Sequence, residues 1–176
     1  MAEDGYIQVY TGNGKGKTTA ALGLALRAAG RGMKTYMAQF LKKGDYGELV
    51  AAKRFLPELL VIEQFGLPDF HHRESGVSEA EREAGAAGLV AAKKAMISGI
   101  YRIVVLDEIN TLLHFEILPL EPILQLLAAR PPGLELILTG RYAPEEILAA
   151  ADLITEMQET RHYYQKNVPA RNGIEK

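Results

Sequence analysis

The stretch Tyr6-Ile7-Gln8-Val9-Tyr10-Thr11-Gly12-Asn13-Gly14-Lys15-Gly16-Lys17-Thr18-Thr19 decides how the rest of the chain is read. Its first five residues are β-branched and aromatic and run into a glycine cluster, the pattern of a strand followed by a tight loop. Successive glycines let backbone N–H groups turn inward around an anion. A lysine is then needed to reach the terminal phosphates, and a hydroxyl to hold Mg²⁺. The usual spacing, Gly-x-x-x-x-Gly-Lys-Ser/Thr, is met in its second half by Gly16-Lys17-Thr18, whereas Thr11 stands at its first glycine. Gly12 and Gly14 supply the flexibility instead. Lys17 to Arg31 is rich in Ala and Leu and reads as a helix closed by Gly32, so the loop opens on a helix N-terminus that attracts anions. A glycine-rich turn without a ligand is the weaker reading, because strand, loop, lysine and helix come in the required order. The expected contacts to ATP polyphosphate are Gly12, Asn13, Gly14, Lys15, Gly16, Lys17, Thr18 and Thr19.

Such a site needs an acidic residue at the end of a buried strand. Ile103-Val104-Val105-Leu106-Asp107-Glu108 supplies it about 90 residues later, and its fully apolar run is that of a strand covered on both faces. The separation leads us to expect this strand beside that of the loop. One of the two acids would hold Mg²⁺, and in ATPases that split water the second often polarises the nucleophile. A purely structural role at the strand end is less favoured, because ligands bind at that edge of an α/β sheet. Leu138-Thr139-Gly140-Arg141 ends a further strand on the same edge; Arg141 is read evenly as a ligand contact or a surface residue.

Strands at Thr35–Leu41, Leu59–Glu63, Leu134–Leu138 and Leu153–Glu156 alternate with helices at Glu48–Phe55, Leu120–Ala129 and Pro144–Ala151. A further helix opens at Ser78, with Glu81 as its capping-box partner, and runs to about Ser98. Gln64–Gly76 reads as a loop, and 161–176 as a polar, basic tail with no period. The expectation is one domain over 1–176: α/β, P-loop NTPase-like (RecA-like), an open, mainly parallel sheet with helices on both faces. Twenty basic and 22 acidic residues among 176 leave a formal charge of −2, so bulk electrostatics favour neither nucleic acid nor membrane. The absence of cysteine excludes disulfides, thiolate metal sites and cysteine nucleophiles. The acidic start Met1-Ala2-Glu3-Asp4-Gly5 is no signal peptide and no run is long enough to span a membrane, so a cytoplasmic protein is expected.

Taken together, these segments resemble the ATP:corrinoid adenosyltransferases. The likeness rests on TGNGKGKTTAALG at Thr11–Gly23, Ala38-Gln39-Phe40-Leu41-Lys42, VVLDEIN at Val104–Asn110 and Leu118-Pro119-Leu120. LTGR at Leu138–Arg141, Ala151-Asp152-Leu153 and the ending Val168–Glu175 complete it. The resemblance implies transfer of the 5′-deoxyadenosyl group of ATP to the cobalt(I) of a corrinoid (cobalamin, cobinamide or a cobyrinate derivative), with tripolyphosphate leaving. The loop then serves the leaving group, with the nucleotide bound backwards relative to other NTPases. Carried over by motif, Lys17, Thr18 and Glu108 are the catalytic set, Thr18 and Glu108 hold Mg²⁺ or Mn²⁺ with Asp107 assisting, and Gln39 and Arg141 join the substrate contacts. The resemblance also implies a flavin-type protein as the source of Co(I), a homodimer, and no role for nucleic acid or membrane. The family's corrinoid-side loop reads Gly-Phe-x-Trp, whereas this chain has Gly66-Leu67-Pro68-Asp69-Phe70-His71-His72 and no tryptophan. Phe70 is the expected corrinoid-side aromatic, and Phe65 a lesser one. Longer relatives carry an N-terminal helix over the site, so that lid is expected to be absent or built otherwise. The competing functions are a P-loop ATPase or small-molecule kinase, and a nucleotide-dependent binding protein without turnover.

Overall fold

The computed structural model describes residues 4–68 and 76–176. Its elements are β1 (Ile7–Thr11), α1 (Lys17–Ala29), β2 (Thr35–Phe40), α2 (Gly47–Phe55), β3 (Leu60–Phe65) and α3 (Glu79–Ile97). They continue through β4 (Ile103–Asp107), α4 (Ile109–His114), α5 (Glu121–Ala128), β5 (Glu135–Thr139), α6 (Glu145–Ala149) and β6 (Leu153–Glu156), with a 3-10 turn at Tyr163–Lys166. The six strands form one sheet in the order β3-β2-β4-β5-β1-β6, and every pairing is parallel.

Burial explains why the central strands are apolar at every position. On β4, Val104 and Leu106 pack on the side of α3, α4 and α5. Ile103 and Val105 pack on the other side, against α1 residues such as Ala21 and Ala28. Side chains alternate across a strand, so a sheet covered on both faces needs hydrophobic residues in both registers. The interior aliphatics of β4 and β5 are almost wholly removed from water, each worth roughly 1.5–3 kcal/mol. Ala25 of α1 and Ala52 of α2 share a small buried cluster with Leu60 of β3.

The sequence reading and the structure differ in three places. The strand of the glycine loop and the strand of the acids are not neighbours: β5 lies between them. Spacing along the chain limits which strands can pair, but which pair forms depends on how each crossover packs. The six-residue α4 was not foreseen, because it is too short to show a period and starts from a left-handed residue. β3 runs through Gln64 and Phe65, which the sequence pattern assigns to the following loop.

The start of α3 follows expectation. The Ser78 hydroxyl accepts from the Glu81 amide while the Glu81 carboxylate accepts from the Ser78 amide at 2.7 Å. No helix among the described residues is long and apolar enough to cross a membrane.

Candidate nucleotide-binding site

Parallel strands present all their C-terminal ends on one edge, and ligands of such sheets bind there. Four strands converge on one place at that edge. β1 delivers the loop of residues 12–16, β4 ends on Asp107, β5 on Thr139, and Gln39 of β2 lies beside Asp107 in register. Above them opens a cleft of about 480 Å³ whose walls include Lys17, Thr18, Lys42, Glu48, Glu108 and Arg141.

Two helix N-termini make the character of this place clear. That of α3 is closed by its own side chains and carries Glu79 and Glu81 in the first turn. That of α1 has Gly16 as its cap, no side-chain cap bond and no acid in the first turn. Leading amides without such partners, on a 13-residue helix, favour an anion.

The loop is braced from outside. The Gly14 amide donates to the carbonyl of Met157, just past β6, at 2.6 Å. A Cβ on Gly14 would lie 2.7 Å from the Met157 and Gln158 carbonyl oxygens, so only glycine lets the loop sit this close. Lys17 is buried, and its ammonium donates to the carbonyls of Gly12 and Gly14 at 2.7 and 2.8 Å. Burial lowers its pKa and the Arg141 charge adds to that, while Glu108 and Asp107 resist.

Asp107 is fully buried and is the hub of the site. Its Oδ1 accepts from the Thr18 hydroxyl at 2.8 Å and from the Thr139 hydroxyl at 2.7 Å. Its Oδ2 pairs with the Lys42 ammonium at 2.7 Å, and the same ammonium lies 3.2 Å from the Thr18 oxygen. Burial would lower the Lys42 pKa, but the charge and hydrogen bond of Asp107 outweigh it and hold the pKa above its ordinary value.

Glu108 follows in the left-handed region (φ 66°), a conformation costing about 1–3 kcal/mol for a non-glycine residue. The Thr139 hydroxyl accepts its amide at 2.9 Å, and its carboxylate accepts from Thr111 at 2.6 Å. Thr111 Oγ1 also accepts from the Arg141 amide at 2.9 Å. A Cβ on Gly140 would meet the Thr111 nitrogen at 2.7 Å, so glycine at 140 lets the end of β5 close against α4. Strain held by so many bonds marks a position kept for its geometry.

Of the residues expected to contact nucleotide, Gly14 to Thr19 and Arg141 line the cleft. Gly12 contributes a carbonyl to Lys17, and Asn13 is exposed at the loop. Gln39 is fully buried behind Asp107, its amide nitrogen 2.9 Å from Glu48 and 3.4 Å from Asp107. It is placed to orient acids. Phe70, with His71 and His72, lies outside the described residues. Phe65 closes β3, is half-buried, and packs its ring 6.2 Å from that of Phe40.

Sequence reasoning missed Lys42, Glu48, Thr139 and the far end of the chain. Residues 162 and 173–176 reach the cleft wall. Glu175 pairs with Lys15 at 2.9 Å and with Arg171 at 3.1 Å, and accepts from the Tyr163 hydroxyl. The absence of a period hid this contact, because the tail is held by polar bonds. Lys42 was visible within the family-like segment at 38–42, but nothing local ties it to a residue 65 positions away.

A divalent cation fits the donors present. Thr18 Oγ1 and the carboxylates of Asp107 and Glu108 are hard oxygens, and the Lys42 ammonium shows that positive charge is accommodated among them. No group of three or more acids or histidines among the described residues forms a cage. One hydroxyl and two carboxylates suit Mg²⁺, which commonly takes one or two carboxylates and completes its shell with substrate phosphates and water.

This parallel sheet, loop, buried acid and open helix end define a phosphate-loop nucleotide-binding protein. The chain belongs to the family described as ATP:corrinoid adenosyltransferase BtuR/CobO/CobP, whose sequence model matches residues 3–175. Corrinoid adenosyltransferase CobA of Salmonella typhimurium is 36% identical over 173 residues, covering 98% of this chain and 86% of that protein. The corrinoid adenosyltransferase of Escherichia coli K12 is 37% identical over 175 residues, covering 98% and 86%. An uncharacterized protein of Nostoc sp. is 39% identical over 170 residues, covering 90% of this chain, and the chain spans 45% of that longer protein.

Proposed function

We propose that this protein transfers the 5′-deoxyadenosyl group of ATP to the cobalt(I) of a corrinoid and releases tripolyphosphate. The observation that carries the reading is the Lys17, Thr18 and Asp107 constellation at the open N-terminus of α1, in a chain of this family. The Co–C bond forms as the bond from C5′ to oxygen breaks, and its electron pair leaves with the tripolyphosphate. Negative charge therefore grows on the oxygen leaving C5′. Lys17 and the leading amides of α1 stabilise that charge, and they are fixed before the reaction begins. Mg²⁺, when bound, supplies further charge neutralisation to the polyphosphate. Thr18 and Glu108 would hold it, with Asp107 assisting: its Oδ1 orients the Thr18 hydroxyl and its Oδ2 offers the ion a further oxygen.

No water needs activation in this reaction, so the bond that ties Glu108 to Thr111 does not conflict with its role. Arg141 lines the same cleft as Lys17 and is assigned to the phosphates. Phe70 is assigned to the corrinoid side by its place in the sequence. On family resemblance, a separate reductant of the flavin-protein type is to supply the electron that makes Co(I). A cytoplasmic homodimer accompanies this reading, on family resemblance.

Incubation with ATP, Mg²⁺ and chemically reduced corrinoid tests the proposal. Conversion of the visible spectrum to a light-sensitive alkylcobalt species, with one tripolyphosphate per turnover, is the expected result. ADP and phosphate without that conversion would favour an ATPase or kinase; nucleotide binding without products would favour a binding protein.

A further inference from the structure

Lys42 is the one charged contact of Asp107, among the described residues, that the proposed chemistry leaves without a task. Its ammonium touches two of the oxygens that a divalent ion would use, Asp107 Oδ2 at 2.7 Å and Thr18 Oγ1 at 3.2 Å. The side chain is 17% exposed and Asp107 is not exposed at all, so the pair is sheltered from water and from salt. Glu48 and Glu108 add their fields, and the Tyr46 ring lies 5.9 Å from the ammonium. Lys42 also lines the cleft. Its four-carbon stem can therefore carry the charge from the acids to a polyphosphate without movement of the backbone.

We propose that Lys42 is an internal counter-cation that keeps free divalent ions off Thr18 and Asp107. The metal then enters only with the triphosphate, and the displaced ammonium turns onto the phosphate chain. Electrostatics favour this arrangement. A buried carboxylate without a partner is strongly disfavoured, and a lysine that stays in place satisfies it at no entropy cost for capturing an ion. The triphosphate brings negative charge that repays the ammonium for leaving Asp107 and brings oxygens that complete the metal shell. Loading thus becomes coupled: MgATP binds as a unit, and neither component alone reaches the loaded arrangement.

The inference rests on the reading of Thr18 and Glu108, with Asp107 assisting, as a metal site and is independent of corrinoid chemistry. Its test is Mn²⁺ binding to the whole chain without nucleotide, followed by electron paramagnetic resonance. The wild type and Lys42→Arg should bind Mn²⁺ only weakly. Lys42→Met and Lys42→Gln should bind it on the order of tenfold more tightly or better, the factor one unit charge at contact distance supplies. The gain should disappear in the double variant K42M/D107N, and circular dichroism of each variant should match the wild type. Equal Mn²⁺ affinity in wild type, K42M and K42Q would overturn the proposal, as would a gain in K42M that survives D107N. Should Mn²⁺ binding behave as expected while adenosyl transfer is absent, the proposed function fails and this inference stands.

Discussion

Two clusters of lysine and carboxylate flank the phosphate loop, and they are built in opposite ways. On the inner side, Lys42, Asp107, Thr18 and Thr139 come from the ends of strands and the start of α1, out of water. On the outer side, Lys15, Arg171, Tyr163 and Glu175 gather at the surface, held by the far end of the chain. The inner groups have little conformational freedom to lose and act through a low dielectric, so each charge there matters. The outer groups must order long side chains in water, and exposed pairs of this kind add little stability. The inner cluster therefore fits a role in chemistry, and the outer one that of a clasp.

Removing the Lys17 ammonium should have the largest effect. Lys17→Ala is expected to lower turnover by about 10³-fold or more, as expected when a preorganised stabilising charge is lost, with little change in the melting curve. Near-normal turnover in a steady-state assay would show that the loop does not serve the leaving group. Asp107→Asn comes next and separates the clusters by stability. It strands the Lys42 ammonium and should destabilise the fold by about 3 kcal/mol, measured by urea unfolding. K42M/D107N should recover much of the loss; no recovery would mean that the Asp107 hydroxyl contacts carry the stability.

Glu108→Gln should leave folding intact and raise the Mg²⁺ concentration needed for half-maximal turnover by about tenfold. An unchanged Mg²⁺ titration would move the metal to Asp107 alone. Glu175→Gln should have the smallest effect, with turnover within about threefold of wild type and faster carboxypeptidase trimming of the tail.

The clasp also has a pH signature. Hydrogen bonds from Arg171, Tyr163 and Lys15 hold the Glu175 carboxyl well below the usual carboxylate range. Its contribution is present above that range and lost only as pH falls through the lower folded value. Bonds to Tyr163 and Glu175 raise Lys15, so its contribution lasts until pH rises through that higher folded value. Trimming rates should accordingly be flat between about pH 5 and 10. A step inside that window would separate the clasp from these groups.

Much of this molecule is legible in the sequence because its signals are local. The strand of residues 6–10, the glycines, Lys17 and the helix after them specify an anion site through backbone geometry alone. The unbroken apolar run at 103–106 specifies a strand covered on both faces, and Ser78 with Glu81 specifies a helix start. The acids after that run, and the segments matching the family, gave the candidate chemistry.

Tertiary structure alone decided the order of the strands and the wiring of the hub. Placing β5 between β1 and β4 brings Thr139 to Asp107, and no spacing along the chain encodes that meeting. The 65-residue reach from Lys42 to Asp107 and the 160-residue reach from Lys15 to Glu175 are of the same kind. A side chain's local pattern reports which surface it occupies. Which partner it meets there depends on packing by every element between them, and that is settled only when the sheet is assembled.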